Sequence, residues 1–311
     1  MHRIRYYKIN GQTVWDRTSK LDILTGSEQQ QQQDEMLNDL LPKVPVNAGL
    51  YQFDLNLQQW TQQPDIPLTS DDHKTPSTDE TTLPERCQFL TWNVLFDYHF
   101  SALIHTNQRY PAILERLQSL LPDFVCLQEV TYKFAELLFQ QTWLQENNYS
   151  ILTMQSAIQN TKENSYGQMI LMKNFRPRAF AICPLDMTAD ESNRKRKTTK
   201  EILITRFDLS TRVTIDIVNV HLHSDLSPEA SQKRCRTLEN LFQQMNTKNC
   251  MIIGDMNFGD HATDECDLLK KYADDVHDLW QKTYDLEQVI FLSIHIFSLR
   301  YFVALGARFY I

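Results

Sequence analysis

Three apolar runs in this chain stop at polar residues: Thr91-Trp92-Asn93, Leu127-Gln128-Glu129 and Gly254-Asp255-Met256-Asn257. A fourth, Val218-Asn219-Val220-His221-Leu222-His223-Ser224, puts a histidine at the same kind of boundary. Hydrolysis of a phosphodiester near neutral pH needs groups of these types. It requires a base for the attacking water, donors to phosphoryl oxygens that gain charge, and help for the leaving oxygen. Asp255 is the candidate to accept the proton of the water. Asn93 and Asn257 can donate hydrogen bonds to phosphate oxygens or orient the water without adding charge, and His221 can donate to a non-bridging oxygen. Glu129 is the candidate metal ligand, since oxygen donors select a hard ion, Mg²⁺ or Mn²⁺, that acts as a Lewis acid. Asp255 and Asn257 lie two apart and so face one side of an extended segment, with Gly254 leaving room for the backbone.

Separate elements have to deliver these residues to one pocket. After Cys87, short apolar runs alternate with stretches of helical periodicity, the pattern of an α/β domain. Phe89 to Val94, Phe124 to Val130, Val213 to Leu222 and Cys250 to Ile253 are expected strands, and ligands of α/β sheets gather where strands end. Ile113, Leu114, Leu117, Leu120 and Leu121 recur at three and four residues behind Pro111 and predict a helix that stops before Pro122-Asp123. Ser227-Pro228-Glu229 reads as an N-cap with proline at the first helical position, leading to Leu238, Leu241, Phe242 and Met245.

The preceding sequence is different in kind. Residues 1–27 interleave apolar and polar positions around Asn10-Gly11, a tight-turn dipeptide, and predict a small β-hairpin. From Glu28 a run of five glutamines opens a stretch, to about residue 86, rich in Gln, Pro, Asp, Ser and Thr. Such a composition buries too little surface to offset ordering entropy, so 28–86 is expected to be a linker with a sticky patch at Leu50-Tyr51-Gln52-Phe53. With 311 residues, 42% of them hydrophobic, the chain can bury one principal core. A formal charge of −8 argues against coating nucleic acid by bulk electrostatics. The six cysteines occur singly, which suits a reducing compartment, and the first residues show no secretory signal. Cytoplasm or nucleus, and a monomer, are the expectations.

In this order and at these separations, TWN, LQE, VHLHS and GDMN resemble the endonuclease/exonuclease/phosphatase superfamily. Within it, Leu90-Thr91-Trp92-Asn93, Pro122-Asp123 to Gln128-Glu129-Val130, Tyr166 with Ile170-Leu171-Met172, and His221-Leu222-His223-Ser224 are most similar to 5′-tyrosyl-DNA phosphodiesterases. Asn93-Val94-Leu95 with Cys126-Leu127-Gln128-Glu129-Val130 also resembles the deadenylase branch. The likeness covers roughly Gln88 to Glu287, within a domain read as 87–288. It implies a four-layer α/β sandwich of two mixed sheets flanked by helices, and a Mg²⁺-dependent phosphodiesterase acting on DNA or RNA ends. Residue by residue it implies that Asn93 is the family's asparagine, Glu129 its metal-binding glutamate, His221 its phosphate-contacting histidine and Asp255 with Asn257 its Asp-x-Asn pair. Tyr166 falls where a substrate-side aromatic stands, although a core tyrosine fits it equally.

The family pattern also finishes in a Ser-Asp-His strand, and no such motif follows Asn257. Ser70-Asp71-Asp72-His73 lies before the first core strand and carries an extra residue. Residues 289–311 are instead an apolar tail, interrupted by Arg300 and too short between charges for the ~20 apolar residues of a membrane span, so no stable membrane association is expected. The sandwich is then expected to be incomplete at its C-terminal end, with an exposed sheet edge. The alternative function is a catalytically impaired phosphate- or nucleic-acid-binding protein lacking the terminal Asp-His pair. Arg194-Lys195-Arg196-Lys197 with Lys200 reads as a basic loop, either solvated or touching a nucleic-acid backbone. His2-Arg3-Ile4-Arg5-Tyr6 and Asn10 to Arg17 resemble the closing segment of a small RNA cyclic-group end-recognition domain.

Overall fold

A computed structural model of the chain describes residues 6–9, 12–16, 21–22, 43–65, 67–68, 82–83, 86–98, 104–160, 165–185, 201–210, 213–224, 229–245, 249–258, 262–272, 277–278, 292–295 and 301–305. Two compact units divide it, Met1–Pro42 and Lys43–Ile311. In the first, β1 (Tyr6–Ile9), β2 (Gln12–Asp16) and β3 (Leu21–Asp22) form an antiparallel sheet in which Ile9 stands opposite Gln12. The basic loop and the Ser70-to-His73 string lie outside the described residues.

The second unit runs β4 (Gly49–Asp54), β5 (Gln59–Gln62), β6 (Arg86–Asn93), α1 (Thr106–Leu120), β7 (Phe124–Val130), α2 (Tyr132–Phe139), α3 (Thr142–Glu146), β8 (Tyr149–Thr153), α4 (Gln155–Ile158) and β9 (Gly167–Lys173). It continues with β10 (Ala179–Pro184), β11 (Glu201–Ser210), β12 (Val213–His221), α5 (Ala230–Met245), β13 (Asn249–Asp255), α6 (Thr263–Lys271), β14 (His277–Asp278), β15 (Leu292–His295) and β16 (Tyr301–Leu305). One mixed sheet has seven strands in the order β15-β6-β7-β9-β8-β4-β5; the other has six, β10-β11-β12-β13-β16-β14.

Alternation along the strands sorts the apolar residues into three cores. Phe124 and Cys126 of β7 and Ile215 and Ile217 of β12 belong to a core shared by the two sheets, with Phe89, Ile170, Phe207, Met251 and Ile253. Their neighbours Val125 and Leu127 pack outward with Tyr110, Ile113, Leu114 and Leu117 of α1 and Phe134 and Leu138 of α2. On the far side Val218, Val220 and Ile252 meet Leu238, Leu241 and Phe242 of α5. Strands covered on both faces read as unbroken apolar runs, which is why these segments lack a clean polar alternation. The result is the helix, sheet, sheet, helix sandwich. Among the described residues no helix is long and apolar enough to cross a membrane.

Three details depart from the sequence-based expectations. The stretch 49–62, expected to be linker, forms two strands of the seven-stranded sheet, β4 pairing antiparallel with β8. Leu50, Tyr51 and Trp60 are buried there, and the Trp60 indole N–H donates to Phe139 O at 2.9 Å. Averaging over the glutamine-rich surroundings hides this short apolar island. Helix α1 starts at Thr106 and holds Pro111 inside it; beyond the first turn a proline gives up one intrahelical bond and crowds the carbonyl four residues back, which tertiary packing of this face has to offset. The apolar tail, expected to leave a sheet edge open, supplies β15 beside β6 and β16 beside β13.

Candidate active site

Four parallel-running strand ends meet at one rim of the sandwich. β6 and β7 pair in parallel in one sheet, bringing Asn93 opposite Gln128, and β12 and β13 pair in parallel in the other, bringing His221 opposite Asp255. Asn93, Glu129, His221 and Asp255 therefore come in pairs from two sheets. The Asn93 side-chain amide bridges them, donating to Glu129 Oε1 at 2.9 Å and to Asp255 Oδ2 at 2.8 Å. His221 Nε2 lies 3.6 Å from Glu129 Oε1 and 3.8 Å from Asp255 Oδ2.

Local backbone geometry aims these groups. The β7–β9 ladder shifts register between Leu127 and Val130, so that Gln128 and Glu129 together oppose one residue of β9, a β-bulge. Glu129 sits there at φ 58°, in the left-handed region where a residue with a side chain is strained. The Phe96 N–H holds its other oxygen, Glu129 Oε2, at 3.1 Å, while Leu95 N donates to Asn93 Oδ1 at 2.9 Å and fixes that amide's orientation. Gly254 has φ +142°, and a Cβ there would lie 2.0 Å from Val220 O; β12 and β13 approach each other at a point only glycine allows.

Asn257 is tied into the same strand ends. Its backbone N–H donates to Asp255 Oδ1 at 2.9 Å and its amide to Leu222 O at 3.0 Å, and it takes φ 53°, which asparagine tolerates better than most residues. Tyr166, just before β9, stacks on Phe96 with ring centroids 4.9 Å apart and stands 6.1 Å from the His221 ring. Burial, and then the nearby Glu129 charge, push its phenol above the ordinary range. All six residues singled out from the sequence are thus gathered around one rim.

Glu129, His221 and Asp255 each offer a ligand atom within 4.8 Å of the others. Like charges this close repel, and hydrogen-bond donors or a cation between them relieve the repulsion. The two carboxylates of this cluster supply the oxygen donors that a hard divalent ion takes.

Other residues behind the site went unassigned in the sequence. Gln128 and Asn219, exposed by 1% and 0%, meet between the sheets at 2.8 Å; a lone amide inside each apolar run was the available signal. Arg234 of α5 forms a buried ion pair with Glu265 of α6 at 2.7 Å and donates to His223 O at 2.8 Å, bracing the segment after β12. Phe96 had no sequence signal, because its backbone N–H and ring position matter rather than its type.

Among solved structures, the chain is similar to TDP2 of D. rerio complexed with a single-strand DNA product, at 17% identity over 66% of this chain and 72% of that one, with a TM-score of 0.47. It is similar to TDP2 from C. elegans at 18% identity, covering 57% of this chain and 49% of that one (TM-score 0.40). It also resembles ANGEL2, a 2′,3′-cyclic phosphatase, at 16% identity over 57% of this chain and 55% of that one (TM-score 0.45). No curated protein matches it. The model of the Endonuclease/Exonuclease/phosphatase family matches residues 90–300, more than half of the chain and all four strand ends. The chain belongs to the endonuclease/exonuclease/phosphatase family, whose members are generally hydrolases of phosphodiester or phosphate esters.

Proposed function

We propose that this chain is a divalent-metal-dependent phosphodiesterase acting at nucleic-acid ends. The observation that carries this is the Asn93 amide bridging Glu129 and Asp255 across the two sheets, with His221 Nε2 within 4 Å of both carboxylates. The carboxylates of Glu129 and Asp255 would hold Mg²⁺ or Mn²⁺, which when bound would polarise a phosphoryl oxygen, and His221 beside them would not share that task. Asp255 Oδ1 already accepts from the Asn257 N–H, which orients the carboxylate to take the proton of an attacking water. Both amide hydrogens of Asn93 are engaged, so Asn93 sets the spacing of the carboxylates and leaves donation to phosphate oxygens to His221 and Asn257. Tyr166 and Phe96 form an aromatic wall beside His221 on which a base or a tyrosyl group can stack. Nucleic-acid ends are favoured by the motif likeness to 5′-tyrosyl-DNA phosphodiesterases, and this substrate fits a chain working as a monomer in the cytoplasm or nucleus.

The test is turnover with Mg²⁺ on a 5′-phosphotyrosyl oligonucleotide and on a plain RNA oligonucleotide, with and without chelator, for the chain and for Asp255→Ala. Product that disappears in the variant and in chelator supports the enzyme. A second reading, a phosphate-binding protein without turnover, is favoured by one sequence observation. β16 ends at Leu305 opposite Gly254, and Gly306-Ala307-Arg308 follow it with neither carboxylate nor imidazole. Retention of the same oligonucleotides without product, unchanged by chelator, would select it.

A further inference from the structure

The geometry points to Asn219 as a positioning residue for the site: from the opposite sheet it staples the β7 bulge that turns Glu129 toward the pocket. This deepens the metal-site reading and rests on it for the functional consequence alone. Asn219 lies on β12 two residues before His221 and is fully buried. Its Nδ2 donates to Leu127 O at 3.1 Å and to Met169 O at 2.9 Å. Leu127 and Met169 face each other across β7 and β9 at the last regular pair before the ladder shifts. One amide of the six-stranded sheet therefore bridges two strands of the other at the start of their bulge. Its Oδ1 accepts from Gln128 Nε2 at 2.8 Å, and Gln128 is itself one of the bulged residues. Gln128 Nε2 also donates to its own strand at Cys126 O at 3.0 Å, and the Thr91 hydroxyl donates to Gln128 Oε1 at 3.4 Å.

The physical need for such a staple is specific. Two apolar sheet faces packed together resist separation but define their sliding register weakly, since dispersion and area burial are non-directional. A buried hydrogen-bonded amide is directional, and leaving its partners bare costs about 1–3 kcal/mol per group. The register matters here because Glu129 and Asn93 come from one sheet and His221 and Asp255 from the other. Asn219 belongs to the strand that ends in His221, and the carbonyl it holds precedes Glu129 by two residues. It thus ties the two halves of the pocket together from beneath. The bulge places Glu129 at φ 58°, and that strained residue persists only when its surroundings over-determine it.

The experiment compares Asn219→Leu and the gentler Asn219→Ser with Ile215→Ala, a cavity in the same inter-sheet core that breaks no hydrogen bond. Thermal unfolding, amide hydrogen exchange by peptide, and titration with Mn²⁺ alone are measured on each full chain. Both Asn219 variants are expected to speed exchange selectively in residues 94–98 and 126–131 and to weaken Mn²⁺ binding about tenfold or more. Ile215→Ala is expected to lower Tm with neither effect. Exchange in those two segments that matches Ile215→Ala at equal loss of Tm would overturn the staple. Should the parent chain itself bind no Mn²⁺, the metal-site reading fails while the exchange comparison still decides the role of Asn219. If Asn219→Leu does not fold, Asn219→Ser carries the same comparison.

Discussion

Gly254 lets β13 approach β12 one residue before Asp255. A methyl group there would meet the Val220 carbonyl and would also have to adopt φ +142°. Gly254→Ala is accordingly expected to lower the urea-unfolding free energy by about 2–4 kcal/mol, above the usual surface value, and to displace Asp255. Urea titration followed by far-UV circular dichroism checks it. Asn93→Leu keeps a similar volume but removes an amide that donates to both carboxylates. A fall in Mn²⁺ affinity of about 10- to 100-fold with a small change in Tm is expected, read by calorimetric titration. These site residues were legible as sequence because a carboxylate or amide that ends an apolar run has no packing reason to be there. The bulge at Gln128-Glu129 was not: it depends on which β9 residue lies opposite, a long-range pairing that no local pattern encodes. Nor was the commitment of the Asn93 amide to carboxylates, since Asp255 is far away in the sequence.

Secondary elements show where local pattern succeeds and where composition misleads. The strands ending in Asn93, Val130, His221 and Asp255 were readable because each is covered on both faces and so stays apolar throughout. The β4–β5 hairpin was hidden, as two short strands inside a polar stretch carry few apolar positions each. Trp60 holds that hairpin against α2 through its indole bond to Phe139 O and an edge-on contact with the Phe139 ring at 5.3 Å. Trp60→Ala is expected to cost about 3–5 kcal/mol, a value incompatible with a linker and measurable by chemical denaturation. α5 and α6 are joined by the Arg234–Glu265 pair, whose side chains are exposed by 4% and 1%. Glu265→Gln removes a counter-charge that Arg234 holds at 2.7 Å in a buried setting, so a loss of about 3–5 kcal/mol is expected. The double change Arg234→Met with Glu265→Leu should recover most of that loss in the same titration, because both buried charges are then gone.

At the scale of the whole molecule, buried acids that stay protonated set the alkaline limit. Burial, with the Asp123 charge adding to it, pushes the Cys87 thiol up from 9.0 to about 12. Burial likewise pushes the Tyr110 phenol up to about 12 despite the opposing hydrogen bond from Thr131, and Cys126 and Tyr149 move the same way. Below about pH 9 these groups are protonated folded or unfolded and contribute in full. Above it the unfolded chain releases protons that the folded chain retains, so stability declines until the folded groups titrate near pH 12. Urea midpoints at pH of about 7, 9 and 10.5 are expected to fall in that order, with most of the loss between the last two.

Apart from β15, the seven-stranded sheet is built entirely from β4 to β9, before any strand of its partner occurs in the sequence. Translation therefore delivers Asn93 and Glu129 well ahead of His221 and Asp255. A nascent chain that has emerged as far as Phe175 can bury its helical face yet holds out Phe89, Phe124, Ile170 and Met172 without the second sheet to cover them. Such ribosome-bound intermediates are the natural clients of holding chaperones. Half of the candidate site thus waits on an uncovered sheet until the second half is synthesised, and any pause in decoding between β9 and β13 prolongs that wait.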